Sequence, residues 1–168
     1  MKKILSIALL LVLLTIPSAA QVRIGYYSND AVMREMPEYQ QAQDELNNLR
    51  AQYDKEAQRA DEEFNAKYEE FLDSYSTLAT SIRRKRQTEL QQTMESNVRF
   101  REEAQRLLRQ AEEDAMTPVQ QKLNDAIRSL AATLNVDVVL NTDSNACPYL
   151  NPNTSVDITP QLLEQLKQ

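Results

Sequence analysis

The chain has 168 residues, with 19 basic and 25 acidic side chains, a formal net charge of −6, no histidine, one glycine and one cysteine. Without histidine it lacks the commonest general base and metal ligand, and a single glycine excludes a Gly-rich phosphate loop. The acidic balance argues against a nucleic-acid binder, which needs a broad basic face, and the lone Cys147 excludes an intramolecular disulfide.

Residues 1–20 read as an export signal. Lys2 and Lys3 precede an apolar run from Ile4 to Ile16, Pro17 breaks it, and Ser18-Ala19-Ala20 supplies the small residues of a cleavage site. The run is short for a membrane span, so an uncleaved anchor is the weaker reading. No cysteine follows the small residues, which argues against a lipid-anchored N-terminus. Cleavage after Ala20 leaves 148 residues, enough for one domain. It removes two lysines, so 17 basic residues face 25 acidic ones and the mature net charge is −8.

Residues 21–36 form the first strand and the entry to a body. In "VRIGYYS", Val22 to Ser28, alternation puts Val22, Ile24 and Tyr26 on one face. Met36-Pro37 then marks a helix start. Residues 37–117 read as a helical hairpin arm. Its first helix carries Tyr39, Ala42, Leu46, Leu49, Tyr53, Ala57, Ala60, Phe64, Tyr68, Phe71, Tyr75 and Leu78 at a mean spacing of about 3.5 residues, the spacing of a coiled-coil seam. Ser74, Ser76, Thr77, Thr80 and Ser81 compete for backbone hydrogen bonds and place the hairpin tip at 76–81, although such residues also occur in unbroken helices.

The second helix carries Ile82, Leu90, Met94, Val98, Leu108, Ala111, Ala115, Val119, Leu123, Ile127, Leu130 and Leu134 on its inner stripe. Within it, Thr117-Pro118 with Gln120 resembles a capping box with proline at the first helical position, which predicts a kink or restart. Two antiparallel helices of 40 to 50 residues reach roughly 60–75 Å, far more than one compact domain needs.

Residues 118–168 complete the helix return, the strands and a C-terminal helix. The hairpin brings "LNVDVVLNTDS", Leu134 to Ser144, back beside the first strand, pairing Val22–Ser28 with Val136–Leu140. Ser155 to Thr159 offers a third short strand. "ITPQLLEQLKQ" reads as a helix capped by Thr159, with Pro160 in its first turn and Ile158 packed on Leu163. The expected fold is α+β and mostly α: two or three short strands per chain in a small β body, with a long antiparallel helical hairpin. Exposed strand edges predict completion of the sheet by self-association. The expected core of the body and of its self-associated form is Val22, Ile24, Tyr26, Val136, Val138, Leu140, Ile158 and Leu163.

"VRIGYYSNDAVM" leading into a long hairpin, and the closing run "LNVDVVLNTDSNACPYLNPNTSVDITPQLLEQLKQ", resemble the Skp/OmpH family of periplasmic chaperones over nearly the whole mature chain. The resemblance implies a homotrimer, in which strands of three subunits form one β body and three helical arms surround a cavity. It also implies a periplasmic, ATP-independent holdase that binds unfolded outer-membrane β-barrel proteins before membrane assembly. Familiar members are strongly basic, whereas this mature chain is acidic, which argues against lipopolysaccharide or membrane contact.

The expected client-binding residues on the arm are Phe64, Tyr68, Phe71, Tyr75, Leu78, Ile82, Leu90 and Met94, which serve equally as the hairpin seam. Arg83, Arg84, Lys85 and Arg86 form a basic tip that either steers acidic clients, within a screening length of about 8 Å, or balances carboxylates on the opposing helix. Nothing cationic adjoins Cys147, which reads as an inert loop thiol or an intersubunit link. No catalytic constellation, metal motif or cofactor motif is present, and no enzymatic activity is expected. The alternative to a chaperone is a structural, tethering coiled coil of the cell envelope.

Overall fold

A computed structural model describes residues 22–167. The expected signal at 1–20 lies outside them. Among the described residues the order is β1 (Ile24–Tyr27), α1 (Asn29–Glu35), α2 (Pro37–Ser74), α3 (Thr80–Leu134), β2 (Val138–Asn141), β3 (Ser155–Asp157) and α4 (Thr159–Leu166), with a single 3-10 turn at Asp143–Asn145. The architecture is mostly helical, with one small sheet of order β2-β1-β3.

Both strand pairings are parallel. Ile24 lies opposite Val138 and Tyr26 opposite Leu140 on one side of β1, while Ile24 and Tyr26 meet Ser155 and Asp157 on the other. Parallel neighbours require a crossover connection, and here residues 28–137, the whole arm, are that crossover. The one glycine sits in the central strand. A Cβ on Gly25 would stand 3.1 Å from Val136 Cγ1, 3.4 Å from Val139 Cγ2 and 3.5 Å from Ile158 Cγ2, so any side chain would press into a filled space.

That contact also fixes which face of the sheet is covered. The buried core comprises Val32, Met33, Met36, Val119, Leu123, Ala126, Ile158, Leu162 and Leu166, with Tyr27, Val139, Val156 and Leu163 packed against it. These come from α1, the C-terminal part of α3, α4 and one sheet face. Of the expected core residues, Ile158 is fully buried, Leu163 is half-buried and Val136, ahead of the bend at Asp137, lies on the covered side. Val22, Ile24, Tyr26, Val138 and Leu140 do not belong to this core. By alternation they line the opposite face, which no helix of the described residues covers, and Val22 and Val138 are exposed.

Helix α1 occupies the entry segment between the first strand and the arm, where the sequence predicts no helix. Ser28 caps it by accepting from Ala31 N at 3.1 Å, and it ends at Met36, held extended by the following Pro37. The Asp143 carboxylate clasps its start, accepting from Ser28 Oγ at 2.7 Å and Asp30 N at 2.8 Å. The Asp30 amide, followed by the Ser28 hydroxyl, holds that carboxyl below the usual aspartate range.

Two expected caps are corrected. Pro118 does not restart α3, which runs unbroken from Thr80 to Leu134; Thr117 Oγ1 donates back to Glu113 O at 2.7 Å rather than capping a new helix. Val119 and Leu123, both 3% exposed, anchor the segment just after the proline, so packing outweighs the lost backbone bond. At α4 the boundary residue is Ile158. Thr159 donates its amide to Asp157 Oδ1 at 2.9 Å, and its hydroxyl accepts from Ser28 N at 3.3 Å. Ile158 is one turn from Leu162, both are fully buried, and Leu163 packs against the same cluster from its edge.

The connection between α2 and α3 comprises residues 75–79, so Thr80 and Ser81 belong to the helix, not to the turn. A first helical turn tolerates such side chains readily. At its far end α3 closes with Asn135 in the left-handed region (φ 50°), its N–H on Ala132 O at 3.3 Å and Val136 N on Ala131 O at 2.9 Å. This is the Schellman closure, with asparagine where glycine is commoner.

Candidate functional site

At 1.5 Å per residue, the 38 residues of α2 and 55 of α3 make rods of about 57 and 82 Å. Near the body they hold together by apolar contact: Ala42 and Leu46 are buried, and Tyr53 packs on Phe100 with ring centres 6.1 Å apart. Further out the α3 seam turns polar. Asn97 Nδ2 donates to Ala60 O at 3.0 Å, and Thr93 is half-buried beside it in the helical repeat. Arg101–Asp61 and Arg86–Glu70 (2.9 Å) bridge the two helices, and Lys122–Glu38 does so at the base at 2.5 Å.

This seam differs from the inner stripe expected on α3. Leu90 is half-buried, but Ile82, Met94 and Val98 point to solvent, while Asn97, Phe100 and Ala104 take the inner positions. On α2, Phe71 is buried, yet Tyr68 and Leu72 are open, as is Tyr75 just past its end. Together Tyr68, Leu72, Tyr75, Ile82, Met94 and Val98 are between 44% and 51% exposed. Single exposed apolar residues are ordinary; several on one stretch of helix form a surface.

Most of that surface lines one groove of about 370 Å³. One wall is Phe64, Tyr68, Phe71 and Leu72 of α2 with Tyr75 at its C-terminal cap, and the α3 wall is Gln87, Leu90, Gln91 and Met94. Phe64 and Tyr68 stack with ring centres 6.0 Å apart, and Phe71 meets Tyr75 edge-on at 5.5 Å, so each aromatic is braced by the next turn. Of the eight expected client-binding residues, six line the groove; Leu78 in the connection and Ile82 do not. Leu72, Gln87 and Gln91 were missed. Leu72 follows Tyr68 by four residues, a spacing that signals an apolar flank beside the main stripe.

The basic tip divides. Arg86 pairs with Glu70 across the hairpin, and Lys85 approaches Glu89 at 3.7 Å. The Arg83 guanidinium lies over the Tyr75 ring, 5.0 Å from its centre. Neither Arg83 nor Arg84 forms an ion pair among the described residues. A larger hollow of about 600 Å³, lined by Lys67, Glu70, Arg86, Glu89, Thr93 and Asn97 among others, is spanned by the Arg86–Glu70 pair and is polar in character. Cys147 is a half-buried free thiol beyond the 3-10 turn. Among the described residues, no helix is long and apolar enough to cross a membrane, and no three His, Cys, Asp or Glu side chains gather as a metal site.

The sequence profile of the OmpH-like outer membrane proteins matches residues 23–166, the body and the arm together. Among solved structures, a chain from Caulobacter crescentus CB15, described as a candidate outer membrane chaperone (OmpH-like), superposes with a TM-score of 0.73 at 18% identity. The match covers 89% of this chain and 86% of that one. At that identity the likeness speaks for the fold. No curated protein matches the sequence.

Proposed function

Because the chain belongs to the OmpH-like family of outer membrane proteins, we propose that it is an ATP-independent holdase chaperone of the periplasm. Its clients are unfolded outer-membrane proteins, which it keeps from aggregating before they reach the membrane. One observation carries this reading. The arm leaves six large apolar side chains about half in water, on helices that pair well enough without them. An unclosed transmembrane barrel presents apolar faces and unpaired strand edges to water. A protein that binds only that state suppresses aggregation by mass action. Weakly held helices bearing aromatic and methionine side chains suit clients of varied sequence.

The uncovered sheet face supports self-association as a homotrimer. Ile24, Tyr26, Val138 and Leu140, with Val22 beside them, form an apolar surface on a body otherwise well packed. A second chain laid on that face would remove it from water and let several arms meet one client.

The decisive experiment dilutes an outer-membrane barrel protein from urea into the mature chain and follows light scattering. Suppression at about one trimer per client is expected. Unchanged scattering, with capture of one folded envelope partner instead, would favour the tethering role. Sedimentation equilibrium giving a monomer at micromolar concentration would remove the trimer.

A further inference from the structure

The distal groove has a chemical direction. The wall running from Phe64 to Tyr75 is apolar, and Tyr75, the last residue of that wall, carries the Arg83 guanidinium over its ring, next to the groove's lining rather than within it. The side-chain hydrogen bond of Arg83 is a long one, to Thr80 Oγ1 at 3.4 Å, and no carboxylate of the described residues neutralises it. Arg84 is equally unpaired but lines a separate hollow with Ser81, Lys85 and Thr88. A guanidinium laid against an aromatic face keeps its N–H fork free at the edge, the geometry that receives a carboxylate. From Phe64 to Tyr75, the helical cap of α2, the wall covers about 16 Å, the span of roughly five residues of extended chain. Gln87 and Gln91 on the α3 wall carry amides that can both donate to and accept from a peptide backbone lacking a strand neighbour.

Resting on the chaperone reading, we propose that this groove takes one short extended segment of an unfolded chain, its apolar and aromatic side chains between the helices and a flanking Asp or Glu side chain on Arg83. Arg83 is then a specificity residue, and Arg84, one position away, is not. Charge complementarity at one end gives the groove a preference among apolar segments that the aromatic walls alone do not supply.

Fluorescence anisotropy of the mature chain tests this with two labelled peptides, both alternating Leu or Tyr with Ser or Thr. One is flanked by Glu, the other by Gln. The Glu peptide is expected to bind about five-fold more tightly at low salt, the upper range for a partly exposed ion pair, and raising the salt should abolish the difference. Arg83→Gln should erase the advantage and Arg84→Gln should leave it, with far-ultraviolet circular dichroism confirming helix content in both. An advantage that survives Arg83→Gln, that vanishes with Arg84→Gln, or that ignores salt overturns the assignment of Arg83. Leu72→Ser combined with Met94→Ser should weaken both peptides alike; unchanged binding would overturn the groove itself. The scattering assay reads the chaperone role separately, so suppression by Arg83→Gln protein at wild-type level toward a neutral client leaves that role standing whatever happens to the acidic preference.

Discussion

In the body, Val32, Met36, Ile158 and Leu162 have almost no contact with water, whereas Leu72, Met94 and Val98 on the distal arm are about half exposed. The same residue types thus do two different jobs within one chain. The body gathers three helices on one sheet face and fixes them with directional bonds such as the Asp143 clasp. The arm has one seam, narrowed by alanines at 57, 60, 104, 111 and 115, and the ion pairs between its helices are solvent-exposed. Exposed ion pairs contribute little, so the distal arm is held lightly and the body tightly.

The contrast is most directly broken at Leu162. Leu162→Ala should destabilise the body by roughly 2–5 kcal/mol, the range for emptying a packed leucine site, read from urea unfolding. A cost below that of an arm variant such as Leu72→Ala would show that the two regions are not packed differently. Next comes the helix closure. Asn135→Ala forces a β-carbon residue without a local hydrogen-bonding side chain into the left-handed region and should cost about 1 kcal/mol, while Asn135→Gly should be neutral or better. Equal stability of the two variants would mean that the closure does not hold the body in register.

Asp143→Asn sharpens the comparison through pH. The folded carboxyl has its pKa lowered by the Asp30 amide and the Ser28 hydroxyl. Its contribution is therefore fully present above the unfolded value, near 4, and is lost as pH falls through the folded value. The wild-type advantage over Asp143→Asn should be greatest near neutrality and shrink on acidification. An advantage that grows toward acid would reverse the sign and refute the clasp. The smallest effect is expected at the arm. Arg86→Gln, which removes the pair with Glu70, should change stability by less than about 0.5 kcal/mol and less still at high salt. A larger loss would mean that the tip is tied more firmly than its exposure indicates.

The long-range plan was legible in the amino-acid order, and several local decisions were not. The stripe from Tyr39 to Phe71 placed α2, Met36-Pro37 marked its start, and the return of Val138 to Ile24 followed from a hairpin of two long helices. Which face of the sheet is covered was not readable, because β1 carries bulky side chains at Ile24 and Tyr26 on one side and Tyr27 on the other. Only the close approach to Gly25 distinguishes them. Helix α1 has seven residues and one short apolar run, Ala31 to Met33, too little for a period to emerge. On α3, Met94 and Val98 fit the inner stripe as well as Asn97 and Phe100 by spacing alone. The opposing helix decided, since Ala60 leaves room and a carbonyl for Asn97. That choice pushed the apolar stripe outward, where the groove now lies.

The parallel pairing of β1 with β2 also dictates timing. β1 is among the first described residues to be made, but its two neighbours lie beyond position 137, on the far side of the entire crossover. Helices α2 and α3 can zip locally as soon as both exist, while the sheet must wait for residues 138–157 to emerge. Contacts so distant along the chain close slowly. A nascent copy therefore carries a finished rod before it has a foundation, and truncation anywhere short of Asp157 would leave β1 without a complete set of neighbours.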